Sequence, residues 1–141
     1  MILSKSCVYA IRATLYITAQ ENREYIPVKE IAKELNLSFH FLTKILQGLT
    51  NASLMKSYRG PNGGVAMARS ADSIYLIEVI DVMDGLDIFS ECLLGLPNCN
   101  DINPCPLHEE WAKNRTSIHK MFQTMTLSQI VNNIDKLRLG L

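Results

Sequence analysis

The chain has 141 residues, 14 Lys/Arg balanced by 14 Asp/Glu, and a hydrophobic fraction of 48%. That length suits one compact domain with a short appendage, and the absence of any run of roughly 18 apolar residues argues against a membrane span. Arg12 sits where a signal peptide would be apolar, so the expected location is the cytoplasm, where thiols stay reduced and serve as metal ligands or redox sensors. The zero net charge is unevenly spread: residues 1–70 hold nine Lys/Arg against four Glu, and the remainder holds five Lys/Arg against ten acids. A basic front half can approach phosphates, while an acidic back half limits non-specific adhesion.

From Ser4 to about Gln20, Val8, Ile11, Leu15 and Ala19 recur at helical spacing, flanked by Tyr9, Ala13, Tyr16 and Ile17. Apolar residues on two sides predict a central helix. Cys7 near its start reads as a small buried hydrophobe. Pro27 then opens a second helix with Val28, Ile31, Ala32 and Leu35 on one face, ended by Asn36. Ser38 caps a third, whose inner face is Leu42, Ile45, Leu46 and Leu49. Two short amphipathic helices joined by a tight turn predict a helix-turn-helix.

The outer face of that third helix carries His40, Thr43, Lys44 and Gln47, with Ser38 and Phe39 at its N-terminal end. Such side chains can reach base edges or phosphates from the major groove, although any surface helix has a polar outer face. The next stretch is more specific. LMKSY, RGPNGG and VAMAR read as two strands around a Gly/Pro/Asn turn, a wing directly after the helix-turn-helix. Gly60 and Pro61 let its backbone approach a duplex, and Arg59 can enter a minor groove or bind phosphate.

Ser73 and Ile74 lead into a helix carrying Ile77, Val79, Ile80, Val82 and Met83, stopped by Gly85. A Pro/Asn/Gly-rich loop follows with Cys92, Cys99, Cys105 and His108 separated by gaps of six, five and two residues. From about Pro106 a long helix is expected, with Glu109 and Glu110 in its first turn where the helix dipole favours acids. Its residues Trp111, Asn114, Ile118, Met121 and Met125 alternate in steps of three and four, with Phe122 alongside, a seam that suits a partner helix. Thr126 and Gln129 form a capping box before a last helix with Leu127, Ile130, Val131 and Ile134. Apolar surface beyond a complete winged domain points to a symmetric dimer on palindromic DNA, with Trp111, Ile118, Met121, Phe122 and Met125 at its interface. The competing arrangement has these helices packing back on their own domain.

Three thiols and an imidazole fit structural zinc, an iron–sulfur cluster, or metal-free thiol sensing. Structural zinc sites present a Cys pair two to four residues apart, whereas the closest pair here is separated by five. Wide gaps in a loop stiffened by Pro97, Pro104 and Pro106 suit an extended cluster. No nucleophile beside a base and no carboxylate pair marks an enzyme.

With these features in hand, the chain resembles the Rrf family of winged-helix regulators, close to its IscR-like iron–sulfur members. The resemblance spans nearly the whole length: Tyr9 and Ala10 in the first helix, the Ser38 helix, RGPNGG, the three-cysteine loop and TLSQIVNN. It implies a homodimeric transcription factor whose long helix crosses its partner, and a [2Fe-2S] cluster held by Cys92, Cys99, Cys105 and His108. The first Cys gap is six residues where the family leads one to expect five. Nitric-oxide-sensing relatives take a cluster ligand from an acidic residue in the first helix where this chain has Val8, which disfavours their [4Fe-4S] site. The expected architecture is mainly α: a winged helix-turn-helix over residues 1–85, a cluster loop over 86–107, and a dimerisation arm over 108–141. The expected function is a DNA-binding repressor switched by the cluster; the alternatives are a zinc-binding or cluster-free thiol-sensing regulator and an iron–sulfur carrier.

Overall fold

The computed structural model describes residues 2–135. It is mainly helical, in the order α1 (Lys5–Thr18), α2 (Val28–Glu34), α3 (Phe39–Asn51), β1 (Met55–Tyr58), β2 (Gly64–Met67), α4 (Leu76–Asp84), a 3₁₀ turn (Asp87–Phe89), α5 (His108–Thr124) and α6 (Leu127–Asn133). No helix among the described residues is long and apolar enough to cross a membrane.

Helix α1 is the axis of the fold and packs against α3, α4, α6 and β2. Ser4 caps it by accepting the Cys7 amide, and α4 holds that cap through Asp84, whose carboxylate takes the Ser4 amide at 2.8 Å and the Ser4 hydroxyl. The line facing the core matches the expected one in part. Cys7, Leu15 and the flank residues Ala13, Tyr16 and Ile17 are buried as expected, together with Ala10 and Thr14, while Val8, Ile11 and Ala19 are half-buried. The small residues Ala10 and Ala13 let neighbouring helices approach closely, so these positions, rather than the bulkier Val8 and Ile11, meet the centre.

Helices α2 and α3 follow the pattern read from the sequence. Pro27 precedes α2, Asn36 adopts positive φ after its end, and the Ser38 hydroxyl accepts the Phe41 amide at 3.1 Å. Such a cap is worth about 1 kcal/mol. Leu42, Ile45, Leu46 and Leu49 are buried as one stripe. At the opposite end of α1, the Tyr16 hydroxyl donates to Glu30 at 2.8 Å and Arg23 forms a two-pronged bond to the same carboxylate at 2.6 Å. These partners, Arg23 first, hold the Glu30 carboxyl below its usual range.

The wing is an antiparallel hairpin in which Met55 pairs Met67 and Tyr58 pairs Gly64. A third strand-like segment joins it that no run of strand-forming residues marks in the sequence: Ile26 exchanges both backbone hydrogen bonds with Val65 at 2.9 Å. Gly64 makes this possible, because a Cβ there would lie 2.1 Å from the Ile26 carbonyl oxygen.

A second backbone bridge joins the approaches to α4 and α6, with Leu76 donating to Met125 at 2.9 Å and Leu127 to Ile74 at 3.0 Å. It delivers fully buried Leu127 into the main core that also holds Leu15, Leu49 and Val79, with Ile130, Val131 and Ile134 against its edge. Helix α6 therefore completes the core of the winged module, and its capping box between Thr126 and Gln129 forms as expected. The last residues of the expected 108–141 arm, 136–141, lie outside the described residues. Helix α5 packs on α4 and on the 3₁₀ turn. There Phe122 joins Cys7 and Ile80 in a second small core, and His119 stacks on Phe89 with ring centroids 4.4 Å apart.

Candidate functional site

Two sites can be built on this frame. The first is the outer face of α3 with the wing. Ser38, Phe39, His40, Lys44 and Gln47 are exposed, and so are Arg59, Gly60 and Pro61 at the hairpin tip. Thr43 is half-buried and spends its hydroxyl on the Phe39 carbonyl at 2.7 Å, which leaves it less to offer a ligand than its position implies. Phe39 is 50% exposed at the start of the helix, an apolar group of the kind that can meet a thymine methyl. Behind it, Tyr9 of α1 meets Phe41 edge-on at 5.9 Å, and Arg12 lies over the Tyr9 ring.

The second site is the cysteine loop. Between the 3₁₀ turn and α5 the chain has no regular structure, and turns close it on itself, with Asn98 and Gly95 at positive φ. This brings the sulfurs of Cys92, Cys99 and Cys105 within 4.8 Å of one another. Cys92 lies 3.7 Å from Cys105, and Cys99 lies 3.3 Å from Nδ1 of His108. The Cys105 amide donates to the Cys99 sulfur at 3.4 Å, and the His108 amide to the Cys105 carbonyl at 3.1 Å. His108 is the first residue of α5, two positions later than the expected helix start, so the helix itself carries the imidazole to the thiols.

The thiols are not equivalent. Backbone amides at Leu96 and then Leu94 stabilise the Cys92 thiolate and lower its pKa to about 7. The Cys105 amide acts in the same direction on Cys99, but burial and the neighbouring Cys92 and Cys105 sulfurs outweigh it and raise that thiol. Cys7 stands apart, fully buried, with burial first and nearby Asp84 second raising it to about 12. Three soft sulfurs and one imidazole nitrogen at this spacing are a donor set that zinc or an iron–sulfur cluster would accept.

Of the residues expected along a dimer seam, Met121 and Met125 are exposed, Ile118 is half-buried against the second core, and Phe122 is buried within its own chain. Trp111 turns its indole N–H to the Glu91 carbonyl at 3.0 Å, and Arg115 reaches the same oxygen at 3.1 Å. Two further participants escape sequence reasoning. Asp101 accepts from Nε2 of His108 at 2.9 Å, and Asn100 folds the turn that carries it. Both are polar residues in a polar loop, a context in which nothing marks them until the fold brings His108 alongside.

A helix-turn-helix followed by a wing, with an exposed reading face and a thiol-rich loop on the same chain, defines a DNA-binding transcriptional regulator. The family model for Rrf2, an iron-dependent transcriptional regulator, matches residues 3–133, and the chain belongs to this family. It is similar to protein aau3 of Rhizobium meliloti, 35% identical over 93% of this chain and 85% of that protein. It is also similar to the transcriptional regulator IscR of Yersinia pseudotuberculosis, 27% identical over 99% of this chain and 85% of that one. Among solved structures, CymR, the global cysteine regulator of B. subtilis, superposes with a TM-score of 0.82 at 25% identity over 94% of this chain and 98% of that chain. T. potens IscR shares the fold with a TM-score of 0.76 at 23% identity over 96% and 90% of the two chains. IscR and CymR are regulators, as the family description states, and not enzymes.

Proposed function

We propose that the protein is a homodimeric repressor whose hold on a palindromic operator is set by a [2Fe-2S] cluster bound by Cys92, Cys99, Cys105 and His108. The supporting observation is the convergence of three sulfurs within 4.8 Å, with the His108 Nδ1 at 3.3 Å from one of them, in a chain of the Rrf2 family. When bound, the cluster supplies a one-electron couple and a site that oxidants or iron shortage can empty.

The division of labour is residues 1–85, completed by α6, for reading DNA, 86–107 for the cluster and α5 for dimerisation. Ser38, Phe39, His40, Thr43, Lys44 and Gln47 face the major groove, and Arg59, Gly60 and Pro61 face the adjacent backbone or minor groove. Met121 and Met125 lead the dimer contact, with Trp111, Ile118 and Phe122 supporting it from within the chain. Trp111 and Arg115 clamp Glu91, next to Cys92, so a change in the loop's ligation reaches α5 and through it the spacing of two recognition helices.

A second reading, a thiol-sensing regulator free of cluster or holding zinc, draws on the lowered Cys92 thiol lying 3.7 Å from Cys105. Anaerobic purification decides between them. Charge-transfer bands with iron and sulfide in matching amounts are expected. A colourless protein that carries zinc, or that carries no metal and reversibly loses two thiols on mild oxidation, would replace the first reading with the second. Duplex binding that weakens with salt separates either regulator from an iron–sulfur carrier.

A further inference from the structure

We propose that Asp101 is a positioning residue that holds His108 with Nδ1 free for ligation; this rests on the cluster reading above. A carboxylate can only accept, so Asp101 Oδ1 at 2.9 Å from Nε2 takes a proton carried on Nε2, and in the neutral imidazole that a metal requires the lone pair is then on Nδ1. That nitrogen faces the thiols, 3.3 Å from the Cys99 sulfur. A plain surface ion pair would have no reason to aim the second ring nitrogen at three sulfurs. The His108 side chain is only 13% exposed, so its ring has little room to turn, whereas the Asp101 side chain is fully exposed and has no packing role.

The carboxylate owes its place to Asn100. The Asn100 side-chain oxygen accepts the amides of Ile102 and Asn103, both at 2.9 Å, and closes the turn on which Asp101 stands. Asn100 and Asp101 follow directly after ligand Cys99, so one short turn delivers both a sulfur and the group that orients the imidazole. Carboxylate–histidine–metal arrangements set the tautomer and make the imidazole a stronger donor.

The test compares full-length wild type, Asp101→Asn and Asp101→Ala after anaerobic reconstitution with iron and sulfide. Cluster loss to a chelator is timed by visible absorbance, and nitrogen coupling in the reduced protein is read by pulsed EPR. Asp101→Ala is expected to lose the cluster at least about 10-fold faster and to show an altered or mixed nitrogen coupling. Asp101→Asn keeps an oxygen acceptor for Nε2–H, so its coupling should return to the wild-type pattern. Its midpoint potential should still shift upward, because a negative charge has gone. If Asp101→Ala matches wild type, or if both variants lose the cluster faster with nitrogen coupling unchanged, the proposal is overturned while the cluster reading stands. A wild-type protein that takes up no cluster overturns that reading, and this proposal with it.

Discussion

The indole of Trp111 donates to the backbone carbonyl of Glu91 at 3.0 Å, which ties the helix α5 to the residue immediately before Cys92. Trp111 is the sole tryptophan of the chain, so this bond also places a fluorophore beside the cysteine loop. Emission is expected to fall on cluster uptake and to recover on chelation. Trp111→Phe removes this bond and leaves the one from Arg115, and should cost about 1 kcal/mol in urea unfolding. It should also raise hydrogen exchange in the loop, and unchanged exchange there would show that the clamp does not restrain it.

The two glycines Gly64 and Gly48 should respond oppositely to alanine. At Gly64, φ is +155° and the added Cβ would fall 2.1 Å from a backbone oxygen that cannot move without breaking the Ile26–Val65 bridge. A loss of roughly 2–3 kcal/mol is expected. Gly48 lies inside α3 with nothing within 4 Å of the same position, so Gly48→Ala should gain up to about 1 kcal/mol of helix propensity. Thermal unfolding of the two variants checks both signs.

Cys7 should be the silent thiol. Of four cysteines, three should react with an aromatic disulfide reagent in folded, metal-free protein at pH 8, and the fourth only on unfolding. Its folded pKa of about 12 lies above the value of about 8.5 in an unfolded chain. The folded state therefore binds the thiol proton more tightly, and the resulting stability is complete below about pH 8.5 and is lost as pH rises toward 12. Cys7→Ala should flatten that alkaline decline even though it lowers stability at neutral pH. A decline of equal slope in the variant would show that another group is responsible.

On DNA, the two halves of the candidate interface should separate by the kind of defect they produce. Arg59→Ala should weaken binding to all duplexes and reduce the salt slope by about 1, as expected for one lost phosphate contact. Gln47→Ala should leave the slope unchanged and relax preference at one base pair, at a cost of roughly 1–3 kcal/mol on the preferred operator. Fluorescence anisotropy on operator and scrambled duplexes across a salt series distinguishes them. Identical behaviour of the two variants would count against the assignment of α3 to the major groove.

Much of this protein is legible in signals that are local in its sequence. The Ser38 cap, the Leu42–Ile45–Leu46–Leu49 stripe, the RGPNGG turn and the Thr126–Gln129 box each depend on residues a few positions apart, and backbone geometry alone turns such spacing into helix, turn or cap. The cysteine loop stands out for the same reason, since chemistry-bearing residues are dense in one short segment. Tertiary structure decided what distant residues do to one another. Sequence periodicity marks both flanks of α1 as apolar, but only packing against α4 and α6 chose the Ala10–Ala13 line as the buried one. It also drew Leu127 and Phe122 into their own chain's core and laid Ile26 along the wing. Asp101 met His108 in the same way, when the Asn100 turn folded toward the start of α5. Contacts between segments far apart in the chain depend on which apolar surfaces exclude water together, and no spacing rule along the chain carries that information.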